Sequence, residues 1–240
     1  MAVGLAAGTI NTVVGAGSLV TFPTLLAFGF NPVVANVSNT IGLVPGSVSG
    51  AVAYRAELRG QRTRLLVLGT AAALGGVCGA GILLALPGSV FRHVVPVLIL
   101  IACGLVALQP WLSARLQQHR YQRPHGGTAL FVSVFASAVY GGYFGAAQSV
   151  ILIALLAIFL DDELQRLNAA KNVVAAVVNT AAALVFAFLA PVSWEAAGLL
   201  AVGSVVGGQL GGAIGRRLPA PLLRVVIVIV GVVAAIVLLV

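Results

Sequence analysis

Eight apolar stretches fill the chain almost end to end, at residues 2–28, 33–54, 65–86, 90–112, 129–160, 167–189, 196–214 and 222–240. A helix needs about 20 apolar residues to cross the hydrocarbon core of a bilayer. Inside lipid no water reaches the backbone, so every N–H and C=O must find its partner within the protein; helices and closed barrels alone achieve this. The stretches are continuous and do not alternate, which selects helices over barrel strands. Sixty per cent of the residues are hydrophobic and 8% are charged, more apolar side chain than a soluble domain of this length hides. The expected fold is therefore an all-α polytopic membrane protein with the lipid bilayer as its surroundings. Its 29 glycines suit close helix packing.

Two stretches carry interruptions. Residues 2–28 are broken by Gly15-Ala16-Gly17-Ser18, and residues 129–160, long for one crossing, by Gly141-Gly142-Tyr143-Phe144-Gly145. Each is expected to be a broken or re-entrant pair of short helices.

The two interruptions belong to an internal repeat. Asn36 and Asn168 stand 132 positions apart, as do Gly75 and Gly207, Gly76 and Gly208, Gly79 and Gly211, Leu86-Pro87 and Leu218-Pro219, and Arg92 and Arg224. Upstream, Gly15 and Leu25-Leu26-Ala27 match Gly145 and Leu155-Leu156-Ala157 at 130. A two-residue insertion near Asp161-Asp162-Glu163 accounts for the slip. The Asn, Pro and Arg pairs and the repeated Gly-Gly-x-x-Gly carry the weight, because Ala, Val, Leu and Gly coincide often in such a composition. The expected organisation is a first transmembrane repeat at 1–112, a basic cytoplasmic linker at 113–127 and a second repeat at 128–240. Each repeat holds one broken pair and three spanning helices, about ten segments in all.

Loop charge sets the orientation. Thirteen Lys and Arg stand against five Asp and Glu, a net charge of +8, and the basic residues cluster between spans. That is the positive-inside pattern and not a nucleic-acid footprint. Arg55, Arg59, Arg62 and Arg64 should lie inside, with Arg115 to Arg123 of the linker and Arg216, Arg217 and Arg224. The loop at 189–195 has no Lys or Arg and should lie outside. Corresponding loops of the two copies thus face opposite sides, as in inverted-topology repeats. Both termini should then be outside, and Arg92 is the exception to the charge rule. The first basic residue is Arg55, so no leader with a charged start is expected.

Polar residues at membrane depth need partners and face the protein interior or a wet cavity. They cluster at Asn11-Thr12, at Ser18 with Thr21, at residues 36–40 (Asn-Val-Ser-Asn-Thr), from Tyr140 through Gln148 to Ser149, and at residues 168–172 (Asn-Ala-Ala-Lys-Asn). Ser47 and Asn179-Thr180 correspond further along the same helices. Many such groups only tie helices together. At a break, however, the second half-helix offers N–H groups and a positive dipole end, which favour an anion. Ser18 and Gln148 stand at those starts. The candidate substrate-binding residues are Asn11, Gly15, Gly17, Ser18, Asn36, Asn39 and Thr40 from the first copy. Tyr140, Tyr143, Gln148, Asn168, Lys171 and Asn172 come from the second. Lys171 either snorkels to the interface or partners an anionic substrate.

The five acids, Glu57, Asp161, Asp162, Glu163 and Glu195, all fall at loops or span ends. A carboxylate relay for protons or sodium is therefore not expected. His93, His119 and His125 lie in loops; Cys78 and Cys103 lie in spans without a C-x-x-C partner. No metal site, cofactor or enzymatic constellation is expected, and the oligomeric state stays open.

The motifs resemble those of the sulfite exporter TauE/SafE family of sulfur-compound membrane permeases. The likeness rests on Gly15-Ala-Gly17-Ser18-Leu-Val-Thr-Phe-Pro23-Thr-Leu-Leu, on Pro32-Val-Val-Ala-Asn36-Val-Ser-Asn39-Thr40, and on Tyr140-Gly-Gly-Tyr-Phe-Gly145-Ala-Ala. It implies a secondary transporter of the bacterial inner membrane that exports a small sulfur-containing anion, sulfite or an organosulfonate such as sulfoacetate. By analogy the paired breaks and residues 36–40 and 168–172 line the site. The second copy departs from the first at Ile153, which stands opposite Pro23, and at Ala170, opposite Ser38. Two other readings stay open: a permease for sulfate, thiosulfate or a carboxylate, and a channel-like membrane protein.

Overall fold

In the computed structural model, which describes residues 1–116, 127–214 and 220–239, ten helices follow one another. They are α1 (Ala2–Val13), α2 (Ser18–Ala27), α3 (Pro32–Ala53), α4 (Arg62–Ala85), α5 (Gly88–Leu116), α6 (Gly127–Tyr143), α7 (Gln148–Phe159), α8 (Leu164–Leu189), α9 (Trp194–Ile214) and α10 (Ala220–Leu239). Among the described residues there is no strand. Four helices are long and apolar enough to span a bilayer: α4, α5 over Gly88–Trp111, α8, and α9 over Trp194–Ala213. The chain is a polytopic all-α membrane protein.

The two interrupted stretches divide as their sequence implies. Helices α1 and α2 have 12 and 10 residues, and α7 has 12. At 1.5 Å per residue these reach about 15–18 Å, roughly half a bilayer's hydrocarbon thickness. Helix α3 opens on a cap: Pro32 stands at its first turn and the Asn31 side chain accepts from the Val33 N–H at 3.0 Å. Its 22 residues include Asn36, Ser38, Asn39, Thr40, Ser47 and Ser49, all buried, while Val48 and Val52 are exposed, so its polar face is turned into the protein.

Small residues let the helices approach until backbones touch. A Cβ on Gly207 of α9 would fall 2.1 Å from the Leu5 carbonyl of α1, and one on Gly79 of α4 would fall 2.0 Å from the Val139 carbonyl of α6. These contacts recur at the spacings of the repeat. Gly207 meets Leu5 as Gly75 meets Phe135, Gly211 meets Thr9 as Gly79 meets Val139, and Gly208 meets Gly46 as Gly76 meets Val178. Helix α9 therefore lies on α1 and α3 in the way α4 lies on α6 and α8.

Helices α3 and α8 run in opposite directions. Beyond the end of α3, the Gln61 amide donates to the Arg166 carbonyl at 3.2 Å, near the start of α8. Near the start of α3, Ser38 Oγ accepts from the Ser193 N–H at 2.9 Å, just beyond the end of α8. Between these points the Asn179 side chain donates to Ser47 Oγ at 3.2 Å, and these two residues are themselves 132 apart. Helices α5 and α10 are likewise opposed: Arg224 reaches Gln109 at 3.3 Å, while Val228 accepts from Cys103 further along.

One end of the molecule collects Arg59, Arg64, Asp162 and Arg166. The other collects Met1, Phe28, Phe30, Ser193 and Glu195, with Arg92 in a neighbouring crevice against Pro32 and Leu238. Residues 117–126 of the linker, with His119 and His125, lie outside the described residues, as do Arg216, Arg217 and Leu218-Pro219. Helix α5 extends to Leu116, past the linker boundary expected at 113. The core falls into two apolar clusters. Phe22, Phe91 and Phe144 anchor one, and Leu130, Leu152, Leu156 and Leu160 the other.

Candidate anion site at the paired helix breaks

Both breaks are built alike. The Gly15 N–H bonds the Ile10 carbonyl at 3.0 Å and the Gly145 N–H bonds the Tyr140 carbonyl at 3.1 Å. Both glycines are left-handed, with φ of 84° and 73°, and Ala147 follows at 55°. A Cβ imposes strain there. The breaks also touch: a Cβ on Gly15 would come within 2.2 Å of the Ser149 Cβ in α7. Phe22 and Phe144 meet edge to face at 5.3 Å beside them. Tyr140 closes the second break by donating from its hydroxyl to the Ala146 carbonyl at 2.7 Å.

Helices α2 and α7 do start at Ser18 and Gln148, yet the first amides are not simply open. The turn engages Leu19 with Ala16 and Val20 with Gly17; in the second copy it engages Gln148 with Gly145 and Val150 with Ala147. The break is only four residues long, so its carbonyls fold back onto the new helix. Donors for a ligand must come chiefly from side chains.

Those side chains divide into two groups. Several are already committed. Asn36 donates to the Tyr143 carbonyl at 3.0 Å, tying α3 to the second break. Asn39 accepts from the Thr21 hydroxyl. Thr40 bonds back to the Asn36 carbonyl at 2.9 Å, and Asn11 donates to Ser47 at 3.3 Å. Gly17 lets α2 fold against the Ala7 carbonyl, 2.4 Å from where its Cβ would stand. Tyr143 serves through its carbonyl and lays its ring 5.7 Å from that of Phe91.

The second group is buried and open. Gln148 is 3% exposed and Asn172 is 4% exposed, and Gln148 Nε2, Asn172 Nδ2 and Asn36 Oδ1 have no partner among the described residues. A buried unpaired donor costs about 1–3 kcal/mol, which marks it as a place for a ligand or an ordered water. Gly141 makes room for Gln148: a Cβ there would lie 2.3 Å from the amide carbon. Lys171 is fully buried, at 1% exposure. Its amine, with three hydrogens to donate, meets the Thr12 carbonyl only at 3.5 Å. Helix α8 begins at Leu164, which places Lys171 about two turns inside it. Ser18 and Asn168 are half-buried.

Thr12, Thr21, Ser47 and Asn179, none of them singled out as a binding residue, join this network through their hydrogen bonds to Lys171, Asn39 and Asn11, and Ser149 stands against Gly15. Ser47 and Asn179 had a signal in their match across the repeat; Ser149 had none beyond adjacency to Gln148. A cavity of about 490 Å³ opens at the end of the molecule bearing Met1, Phe28 and Glu195. Thr21 is among its lining residues but is itself fully covered, and its hydroxyl donates to Asn39. At the opposite end Asp162 binds Arg64 at 2.7 Å and Arg166 at 2.7 Å. Burial pushes the Asp162 carboxyl up, but hydrogen bonds from Arg64, the Glu163 N–H and Arg166, with the Arg166 charge, outweigh it and hold the group below the usual carboxylate value. Among the described residues no cluster of His, Cys, Asp or Glu could hold a metal ion.

Spanning helices, two broken helices that meet, and buried polar groups gathered where they meet define a class, the multi-pass membrane transporters. Within it the chain belongs to the sulfite exporter TauE/SafE family, whose model matches residues 1–238. The chain is similar to the probable membrane transporter protein YfcA of Escherichia coli strain K12, 24% identical over 232 residues, covering 95% of this chain and 84% of that protein. It is also similar to the probable membrane transporter protein ORF9 of Sinorhizobium sp, 25% identical over 96% of this chain and 87% of that one. A probable membrane transporter protein of Haemophilus influenzae is 26% identical over 95% of this chain and 88% of its own length. No solved structure matches the chain.

Proposed function

We propose that this transporter exports a small sulfur-containing oxyanion, sulfite or an organosulfonate such as sulfoacetate, across the bacterial inner membrane. The observation that carries the reading is the presence of two buried, unpartnered amide donors, Gln148 Nε2 and Asn172 Nδ2, with Lys171, also buried, preceding Asn172 in the sequence of α8. Donors without acceptors fit an anion. The family's description supports sulfite within that class. The two halves, 1–112 and 128–240, act as inverted-topology repeats, which the opposed directions of α3 and α8 and of α5 and α10 support. Alternating access then exchanges exposure of one central site between the two sides.

No Asp or Glu of the sequence falls within the apolar stretches; Glu195 stands just before one, in the first turn of α9. The membrane potential suffices for export: an inside-negative potential favours anion exit by about 2.3 kcal/mol per charge per 100 mV. The test is counterflow in proteoliposomes with labelled sulfite, sulfoacetate, sulfate and thiosulfate. Saturable exchange of sulfite or sulfoacetate is expected. Exchange confined to sulfate or thiosulfate would replace the substrate, and flux that neither saturates nor exchanges would replace the mechanism with a channel.

A further inference from the structure

The outer surface carries a forked furrow with a positive mouth. One limb, of about 550 Å³, lies between α3 and α8, with Arg55 at one end and Val48 and Leu184 along its length. The other, of about 530 Å³, follows one face of α4 from Arg62 to Ala73. Leu58, Ala73, Val173 and Val177 line both, so the limbs join. Apart from the two arginines, Thr70 and Thr180, the walls are apolar, and Val48, Val52, Leu66 and Leu184 are exposed. The stretches 173–184 of α8 and 62–73 of α4 are each about 16 Å long at 1.5 Å per residue. One leaflet of a bilayer's hydrocarbon core is about 15 Å thick.

Charge narrows the occupant. Residues 55–64 hold four arginines against Glu57 alone, in the loop expected inside on that ground. Arg64 is taken by Asp162 at 2.7 Å. Arg55 and Arg62 are exposed, and neither side chain makes a hydrogen bond or ion pair with another described residue. The limbs offer a small anion no buried donor, since Thr70 is exposed and Thr180 only half-buried. A second copy of the chain, set across a twofold axis, would bring these arginines against one another. A phospholipid with a negative headgroup suits both parts: two acyl chains for two apolar limbs, and a phosphate for two unengaged guanidiniums.

We propose that the furrow is a binding site for one anionic two-chain phospholipid of the cytoplasmic leaflet, with the phosphate at Arg55 and Arg62 and one acyl chain in each limb. The lipid would bridge α3 of the first half and α8 of the second. Val48 and Thr180 of its walls directly follow Ser47 and Asn179, which are bonded at 3.2 Å, so it would lie beside that contact between the halves. None of the lining residues belongs to the candidate substrate site, and the proposal stands whichever ion is carried.

Lipid retention tests this. The full chain in a mild detergent is titrated with dioleoylphosphatidylglycerol or with dioleoylphosphatidylcholine, which share their chains and differ in headgroup charge, and native mass spectrometry follows the bound lipid. One phosphatidylglycerol should bind about tenfold more tightly than phosphatidylcholine. Arg55→Gln with Arg62→Gln should abolish the preference, and Arg55→Lys with Arg62→Lys should keep most of it, which separates lost charge from a lost fold. Ala73→Phe, which fills the junction of the limbs and leaves both arginines, should weaken the binding of both lipids, with Ala73→Leu as the milder filling. Arg92→Gln, which removes a charge outside the furrow, should change nothing. Equal binding of the two lipids by the unaltered protein reduces the furrow to ordinary bilayer contact and overturns the proposal. A preference that survives loss of both arginines, or binding untouched by both fillings of the junction, overturns it too. So does a lipid-free dimer that Ala73→Phe dissociates, because a second copy then occupies the furrow.

Discussion

At the scale of single residues, Gln148 and Asn172 differ from Asn36 in what they cost the fold. Asn36 leaves its Oδ1 unpaired as well, but its amide N–H is a tie that holds the Tyr143 carbonyl. Gln148 and Asn172 leave a donor unpaired in a buried place, which costs about 1–3 kcal/mol each unless a ligand or water takes it. Replacing either by Leu removes that donor at similar volume. Gln148→Leu and Asn172→Leu should therefore leave thermal stability unchanged or raise it while sulfite counterflow falls about tenfold or more, a loss of one hydrogen bond to a charged group. Asn36→Leu should lower stability as well as flux, so unfolding curves beside flux separate the two roles. Asp162 offers a pH test. Its carboxyl is held below the ordinary carboxylate value, so its contribution to stability is complete above about pH 4 and is lost as pH falls through the depressed value. The melting temperature of Asp162→Asn in detergent should lie below that of the unaltered protein at neutral pH, and the gap should close in strong acid. A gap that widens in acid would contradict the assignment.

At the scale of elements, the breaks matter more than the spans. Gly15 and Gly145 share left-handed backbone and the same closing hydrogen bond, but their surroundings differ. A Cβ at Gly15 meets Ser149 at 2.2 Å, whereas one at Gly145 meets the Gly141 carbonyl at 2.8 Å. Each Gly→Ala change carries about 1–2 kcal/mol of backbone strain. Gly15→Ala adds a collision between the two halves, so it should depress the melting temperature and the flux more than Gly145→Ala. Equal effects would mean that the halves do not bear on one another there. The breaks were legible in the sequence because glycines clustered inside apolar stretches have few other uses, and the ten segments followed from span length and loop charge. Less was legible inside the site. Nothing local says that Tyr140 closes its own break through the Ala146 carbonyl, or that the turns occupy amides at Leu19 and Gln148, because those bonds depend on the angle of the chain across four residues. The burial of Lys171 was equally hidden: sequence gives its depth along α8 and not which neighbour covers it. Asn168 stays half-buried although its counterpart Asn36 is covered, a difference set by tertiary packing that a repeat of identities does not carry.

At the scale of the whole molecule, similarity between the halves converts a static picture into a statement about motion. Contacts made twice, such as Gly207 on Leu5 and Gly75 on Phe135, would be exchanged between halves under the alternating access proposed above. The bond from Asn179 to Ser47 is different, because its two ends are each other's counterparts. Exchanging the halves maps this bond onto itself. Under the alternating access proposed above it need not break or lengthen in either state, and it would act as a fulcrum. A short cross-link between cysteines at 47 and 179 should accordingly leave counterflow intact. Should the central link also arrest transport, the rocking centre lies elsewhere.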